Sequence, residues 1–327
     1  MSSNFKFLLL ILILSLPFWW GMNSLEKDLS DFFFWHQISK SPQLIPHIFT
    51  AQLDEKLEAL KPIRDRKIGD LDLKVKSAIS VLVDDKGLEK ILFKKEEDIE
   101  LPIASLTKMM TAWVVLNHYN LSKEITISKK ALDKKYGENG KLQEGRTFKA
   151  EYFLYPLLME SSNSAAIALS NDYEGINQEK FIALMNEEAE KIGMNSTSFY
   201  NPTGLDPEES GTKLNHSNAK DLAKLAKTLL KKPLIPEILS LKSYSLYGPE
   251  LVNTNKLLID ENISWQERII GGKTGFTEKA GGVLLLALKA PKGKGTIINV
   301  ILGTENTEDR FQEMKKLVNW LKEAYQW

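Results

Sequence analysis

The sequence predicts an α+β fold: an antiparallel sheet flanked by helices, with an all-helical subdomain inserted between its strands. Strand-like apolar runs fall near Ser77–Lys94 and again beyond Arg268, whereas the stretch between them follows helical spacing. The 327 residues suffice for one large domain or two of ordinary size. Residues 1–24 read as an N-terminal signal or membrane anchor, 25–70 as a connector, and 71–327 as the main domain, with the helical insert at about 120–235.

The elements follow in order. Phe7–Met22 is an uncharged run of mostly Leu, Ile, Phe and Trp, preceded by Lys6. It is longer than a usual signal-peptide core, and no small-x-small cleavage site follows it, which favours a retained anchor over a cleaved signal. Trp19 and Trp20 suit the outer interface, and Lys6 favours a cytoplasmic N-terminus. Either reading puts the remaining chain outside the cytoplasm. The connector carries Phe32-Phe33-Phe34-Trp35 with Pro42, Pro46 and Pro62; its aromatic cluster suits a bilayer surface or the face of the main domain.

Ser77–Val83 reads as a strand, Asp84-Asp85-Lys86-Gly87 as a turn, and Glu89–Lys94 as the returning strand of a hairpin. Pro102 stops extended structure. Ser105 then opens a run with Met109, Met110, Trp113, Val114, Val115 and Leu116, a buried helix ending near Tyr119. Helical spacing recurs over Tyr152–Glu160, Ala165–Leu169, Gln178–Ile192 and Ser217–Leu230. Strands return at Arg268–Thr274, Val283–Lys289 and Thr296–Leu302. Asn306 is placed to cap a last amphipathic helix with Phe311, Met314, Leu317, Val318 and Leu321. The first and last strands are expected side by side.

Composition narrows the function. The 43 basic and 43 acidic side chains balance, so nothing electrostatic points to nucleic acid. Cysteine is absent, which removes disulfides, thiol catalysis and thiolate metal sites. His36, His47, His118 and His216 show no metal-type spacing. Neither a metal nor a cofactor is expected.

Three short segments carry chemistry when taken together: Ser105-Leu106-Thr107-Lys108, Ser161-Ser162-Asn163 and Lys273-Thr274-Gly275. They supply a nucleophilic hydroxyl, an amine to deprotonate it, a second hydroxyl to relay protons, an amide, and a cation for a carboxylate. Each is weak alone. Ser-x-x-Lys recurs at Ser3, Ser24, Ser210 and Ser217; a Ser-Ser-Asn-Ser loop is an ordinary helix N-cap; a Lys-Thr-Gly tripeptide is an ordinary turn. Context separates Ser105, since Ser3 and Ser24 flank the apolar segment, Ser210 lies in a polar loop, and Ser217 suits a helix start.

Residues three apart share a helix face, so Lys108 can sit beside Ser105 at a helix N-terminus that favours an oxyanion. A lysine acting as base near neutrality must be depressed by about three pH units, which burial and a second cation such as Lys273 can supply. Lys273 can face a cleft, Thr274 can bond a carboxylate, and Gly275 lets a ligand backbone lie along the strand edge. The N–H groups of Ser105 and Phe276 form the natural oxyanion pair if that strand borders the helix.

These motifs, in this order, resemble the penicillin-binding proteins and serine β-lactamases. Their neighbourhoods narrow the likeness: Pro102 to Ala112, Asn201-Pro202-Thr203-Gly204-Leu205-Asp206, Asn253 to Leu258, and Gly272 to Thr277 followed by Ala280-Gly281 are similar to the low-molecular-weight D-alanyl-D-alanine carboxypeptidases, from about residue 70 to the C-terminus. The resemblance implies a β-lactamase/transpeptidase-like fold and a serine acyl-enzyme mechanism acting on peptidoglycan stem peptides that end in D-Ala-D-Ala. Ser105 would be the nucleophile, Lys108 the proton acceptor and Ser161 the relay. Asn163 would hold the acyl side, with Lys273 and Thr274 addressing the terminal carboxylate. Arg310 matches a family arginine near that carboxylate, or is a solvated helix charge. β-Lactams would acylate Ser105.

Ser162 and Ser164 depart from the glycine and acidic residue common around the central Asn. The resemblance further implies that the extra β domain and C-terminal anchor of many relatives are missing, with an N-terminal anchor doing the tethering. D,D-endopeptidase or transpeptidase activity uses the same residues. A β-lactamase is a further alternative, although no Glu-x-x-Leu-Asn stretch between Ser161 and Lys273 supplies a class A deacylating carboxylate. A tethered cell-wall or β-lactam sensor with little turnover is the alternative of another class.

Overall fold

A computed structural model describes residues 62–136, 141–209, 211–245 and 249–327. The expected anchor and nearly all of the connector lie outside these residues. Arg64–Tyr325 forms one compact unit, which begins a few residues before the main domain expected from the sequence.

Its centre is a five-stranded antiparallel sheet. The strands are β1 (Ser77–Val83), β2 (Glu89–Lys95), β3 (Ile269–Thr277), β4 (Gly281–Lys289) and β5 (Thr296–Thr304). Their order across the sheet is β3-β4-β5-β1-β2, so the first strand pairs with the last, Ile79 opposite Val300 and Val81 opposite Ile298. All of β1 is buried, which its continuous apolar run requires of a central strand covered on both faces. The edge strand β2 is instead lysine-rich and mostly exposed, a composition that discourages pairing with another chain. Between them Asp84 Oδ1 accepts from the N–H groups of Lys86 and Leu88, and Gly87 takes φ +83° to complete the expected turn.

Alternation along the strands divides the core. Ile79, Val81, Val283, Leu285, Ile298 and Val300 face one side; Ala78, Leu82, Leu284, Leu286, Ile297 and Ile301 face the other. The helices are α1 (Thr107–His118), α2 (Ala150–Met159), α3 (Asn163–Asn171), α4 (Gln178–Ile192), α5 (Ala219–Leu229), α6 (Leu234–Ser240) and α7 (Asp309–Ala324). Helix α7 covers the second face with Phe311, Met314, Leu317, Val318 and Leu321. Helices α1 to α6 belong to the first face or to the insert beyond it.

Local sequence explains the boundaries. Asn177 and Gly193 (φ +79°) bracket α4, the former accepting from Lys180 N–H. Asn218, one residue later than the expected start, caps α5 by accepting from Asp221 N–H at 2.7 Å. Asn306 Oδ1 accepts from the N–H groups of Glu308 and Asp309 at the start of α7. The insert is mainly helical and also carries a short ribbon, Glu124–Thr126 against Thr147–Lys149. Strand β3 runs past the expected Thr274 to Thr277, so Lys273-Thr274-Gly275 is strand interior, paired with Leu285, Leu284 and Val283 of β4.

Candidate active site

Ser105 lies in a tight 3₁₀ turn, Ala104–Leu106, that leads directly into α1. Ala104 at φ +43° makes the bend, an unfavourable conformation for a residue with a Cβ. One turn on, Lys108 is 0% exposed, and its Nζ lies 3.0 Å from Ser105 Oγ and donates to Thr203 O at 2.6 Å. Burial pushes the Lys108 amine well below the usual lysine range, and the nearby charge of Lys273 pushes it further. When Lys108 is neutral it still donates to Thr203 O, and its lone pair is free to face the serine hydroxyl.

The Asn201–Asp206 segment is built to present that carbonyl. Asn201 Oδ1 accepts from Thr203 N–H, Thr203 Oγ1 and Gly204 N–H, which folds the segment back on itself. Thr111 Oγ1 in α1 donates to Pro202 O at 2.7 Å, fixing the loop to the helix that carries Lys108. Gly204 sits at φ +82°, where an added Cβ would lie 1.9 Å from Ala104 O. Glycine is therefore required by both conformation and space. At the other end Asp206 accepts from Thr277 Oγ1 at 2.9 Å and Lys279 N–H at 3.1 Å, tying the loop to the end of β3.

Strand β3 is an edge strand and closes the site from the opposite side. A Cβ on Gly275 would stand 2.8 Å from Ser105 N, so the strand backbone lies directly against the nucleophile. That contact is what the expected oxyanion pair, Ser105 N–H and Phe276 N–H, requires. Lys273 is 1% exposed, its Nζ donates to Thr274 O at 2.9 Å, and burial followed by the charge of Arg310 lowers it to about 7. Arg310 reaches the same strand, its Nη1 donating to Gly275 O at 2.7 Å. Its guanidinium is thus fixed to the strand that carries Lys273, and burial lowers its own pKa.

Ser161 stands between α2 and α3. Ser161 takes φ +61°, and its Oγ is buried with no hydrogen-bond partner. Ser162 adopts φ −59°, which any residue tolerates, and its Oγ accepts from Ala165 N–H at 3.0 Å as the cap of α3. Ser162 is therefore accommodated without strain. Asn163 opens α3. The link to β3 runs through Thr254: its N–H donates to Met159 O at 2.9 Å, and its hydroxyl shares a 2.7 Å hydrogen bond with Thr274 Oγ1.

Sequence reasoning missed several supports of this arrangement. Asn215 Nδ2 donates to Thr107 Oγ1 and Asn201 O, while its Oδ1 accepts from Tyr200 and Asn201 N–H groups. Asn253 Nδ2 donates to Leu239 O and Leu241 O, holding the Asn253–Leu258 segment beside α6. A polar residue in a loop gives no sign of such distant partners, although the Asn201 and Asn253 segments stood out by resemblance. Among the described residues no cluster of His, Asp or Glu has the makings of a metal site.

The D-alanyl-D-alanine carboxypeptidase family model matches residues 67–306 of this chain. The D-alanyl-D-alanine endopeptidase of Pseudomonas aeruginosa is 30% identical over 74% of this chain and 76% of its own length. The D-alanyl-D-alanine carboxypeptidase DacF of Bacillus subtilis is 29% identical over 80% of this chain and 65% of its own. Among solved structures, penicillin-binding protein D2 of Listeria monocytogenes in its cefotaxime-bound form superposes with a TM-score of 0.64 at 28% identity, covering 78% of this chain and 100% of that one. With a buried Lys108 beside Ser105 facing a glycine-containing edge strand, and with this match over most of its length, the chain belongs to the D-alanyl-D-alanine carboxypeptidase family of serine peptidases.

Proposed function

We propose that this protein removes the terminal D-alanine from peptidoglycan stem peptides through an acyl-enzyme on Ser105. The observation that carries this reading is the fully buried Lys108 amine, 3.0 Å from Ser105 Oγ and held low by burial and by Lys273. Neutral Lys108 takes the proton as Ser105 Oγ bonds to the carbonyl carbon of the penultimate D-alanine. The oxyanion is held by Ser105 and Phe276 N–H groups. The proton on Lys108 passes through Ser161 to the leaving amine, which restores the neutral lysine as the C–N bond breaks and free D-alanine departs. Lys273, Thr274 and Arg310 hold the terminal carboxylate, and Asn163 the acyl-side peptide. Water then attacks the ester, with Lys108 again the base.

Incubating the protein with a muropeptide ending in D-Ala-D-Ala, followed by mass spectrometry, tests the reading. Loss of a single alanine, abolished in Ser105→Ala, is expected. Cleavage of a cross-linked dimer instead would favour the endopeptidase reading that the Pseudomonas relative's name suggests. Fast repeated turnover of nitrocefin would indicate a β-lactamase, and acylation without release a sensor. β-Lactams are expected to acylate Ser105 as substrate mimics.

The uncharged run Phe7–Met22 after Lys6 supports an N-terminal membrane anchor with the catalytic domain outside the cytoplasm. Among the described residues no helix is long and apolar enough to cross a membrane. Fractionation of cells expressing the full chain, with protease accessibility of the domain, tests this placement.

A further inference from the structure

The Ser161 hydroxyl is buried and makes no hydrogen bond, so no partner orients it and its placement rests on its backbone and packing. That backbone is in the left-handed region, φ +61°, which a residue with a Cβ holds only when its surroundings impose it. Pro156 O accepts from Glu160 N–H at 3.3 Å and from Ser162 N–H at 3.0 Å, gripping the chain on either side of Ser161. A further constraint is the Glu160 side chain. Its Oε1 accepts from Val252 N–H at 3.0 Å and from Lys141 Nζ, and Lys141 also donates to Glu250 O at 2.7 Å.

Glu160 therefore joins the end of α2 to two other segments. Two residues beyond Val252, Thr254 binds Met159 O and Thr274 Oγ1, so the segment tied to Glu160 is the one that touches the Lys273 strand. Tyr152 and Pro156, on the helix face that Glu160 continues, line a cavity of about 210 Å³ together with Lys141, Phe148 and Leu251. Across that space, the Lys141–Glu160 contact is a direct tie between the 141–148 segment and α2.

We infer that Glu160, held by Lys141, is a positioning residue for the Ser161 hydroxyl in the acylation step. The inference rests on the relay role of Ser161 proposed above. Glu160 touches no reacting atom; it fixes a strained backbone whose displacement by an ångström misaligns a proton transfer.

Stopped-flow acylation of the full-length protein by a fluorescent penicillin separates the limiting rate from the initial binding constant. Glu160→Ala is expected to lower the limiting rate about 10- to 100-fold, with binding little changed. Glu160→Gln keeps an acceptor for Val252 N–H and loses only the charge of a partly exposed pair, so it should stay within about fivefold of wild type. Lys123→Met, at the exposed Lys123–Glu174 pair, leaves the rate unchanged.

The deciding measurement is the double variant. If Glu160 acts through Ser161, Glu160→Ala adds less than about twofold once Ser161→Ala is present. A wild-type limiting rate in Glu160→Ala, or an undiminished loss in the Ser161→Ala background, overturns the inference and leaves the relay standing. Wild-type acylation by Ser161→Ala removes the relay and this inference with it. Should Glu160→Ala fail to fold, Lys141→Met carries the same test, since its loss must also vanish without the Ser161 hydroxyl.

Discussion

Arg310 Nη1 donates a 2.7 Å hydrogen bond to Gly275 O, so a guanidinium from the first turn of the last helix is fixed to the strand that carries Lys273. The two cations are near enough for Arg310 to lower Lys273. Like charges drawn together at the edge of the site, one of them fully buried, are what capture of an anionic substrate terminus calls for.

Arg310→Ala should therefore weaken recognition of the terminal carboxylate. The loss of a charged hydrogen bond of about 1.5–3 kcal/mol corresponds to roughly 10- to 100-fold in kcat/KM. Steady-state kinetics on a D-Ala-D-Ala peptide checks this, with a larger effect on KM than on kcat. Removing a like charge also lets Lys273 stay protonated to higher pH, so the alkaline limb of the profile should move upward.

The pH dependence has a stated sign. Lys273 titrates at about 7 in the folded protein, so kcat/KM for a substrate with a free carboxylate should decline above that pH as the cation is lost. A substrate amidated at its C-terminus should lack this limb. The unfolded chain binds the Lys273 proton up to its ordinary value of 10.5, so between about 7 and 10.5 the unfolded state carries more protons than the folded one. This lysine's contribution to stability accordingly rises with pH across that window. Urea titrations at several pH values, comparing wild type with Lys273→Met, should show that slope flattened in the variant.

Lys108→Met should lower acylation of Ser105 by about 10²- to 10⁴-fold, the range for loss of a general base. Lys108→Arg should not restore it, because a guanidinium keeps its proton throughout the accessible range. Time courses with a fluorescent penicillin read both variants, and a retained thermal transition separates lost chemistry from lost fold.

Gly204→Ala should destabilise the protein by about 1–3 kcal/mol for the left-handed conformation alone, before the clash with Ala104 O is counted. Because Thr203 O is a partner of Lys108 Nζ, the same substitution should also slow acylation. Thermal denaturation and acylation rates of the one variant give both readings.

Much of this site could be read from residue order. The Ser105-to-Lys108 spacing announces a shared helix face, and the pattern of strands and helices announces a sheet closed by both ends of the chain. Other features had no local signal. Ser161 holds a conformation usually taken by glycine, and the bonds around it come from Pro156 and from segments far away in sequence. Asn215 lies 108 residues from its partner Thr107, a distance no periodicity reports. Lys-Thr-Gly reads as a turn because glycine usually marks one; here the glycine is needed because Ser105 N leaves no room for a Cβ inside a strand.

The adjacency of β1 and β5 has a consequence for biosynthesis. A nascent chain that has delivered Ser105 and Lys108 but not yet Lys273 has neither the low-dielectric wall nor the second ammonium that holds its lysine low. Such an intermediate carries an ordinary, fully protonated amine beside an inert alcohol. The Lys108 base thus becomes competent only once the closing strands are in place.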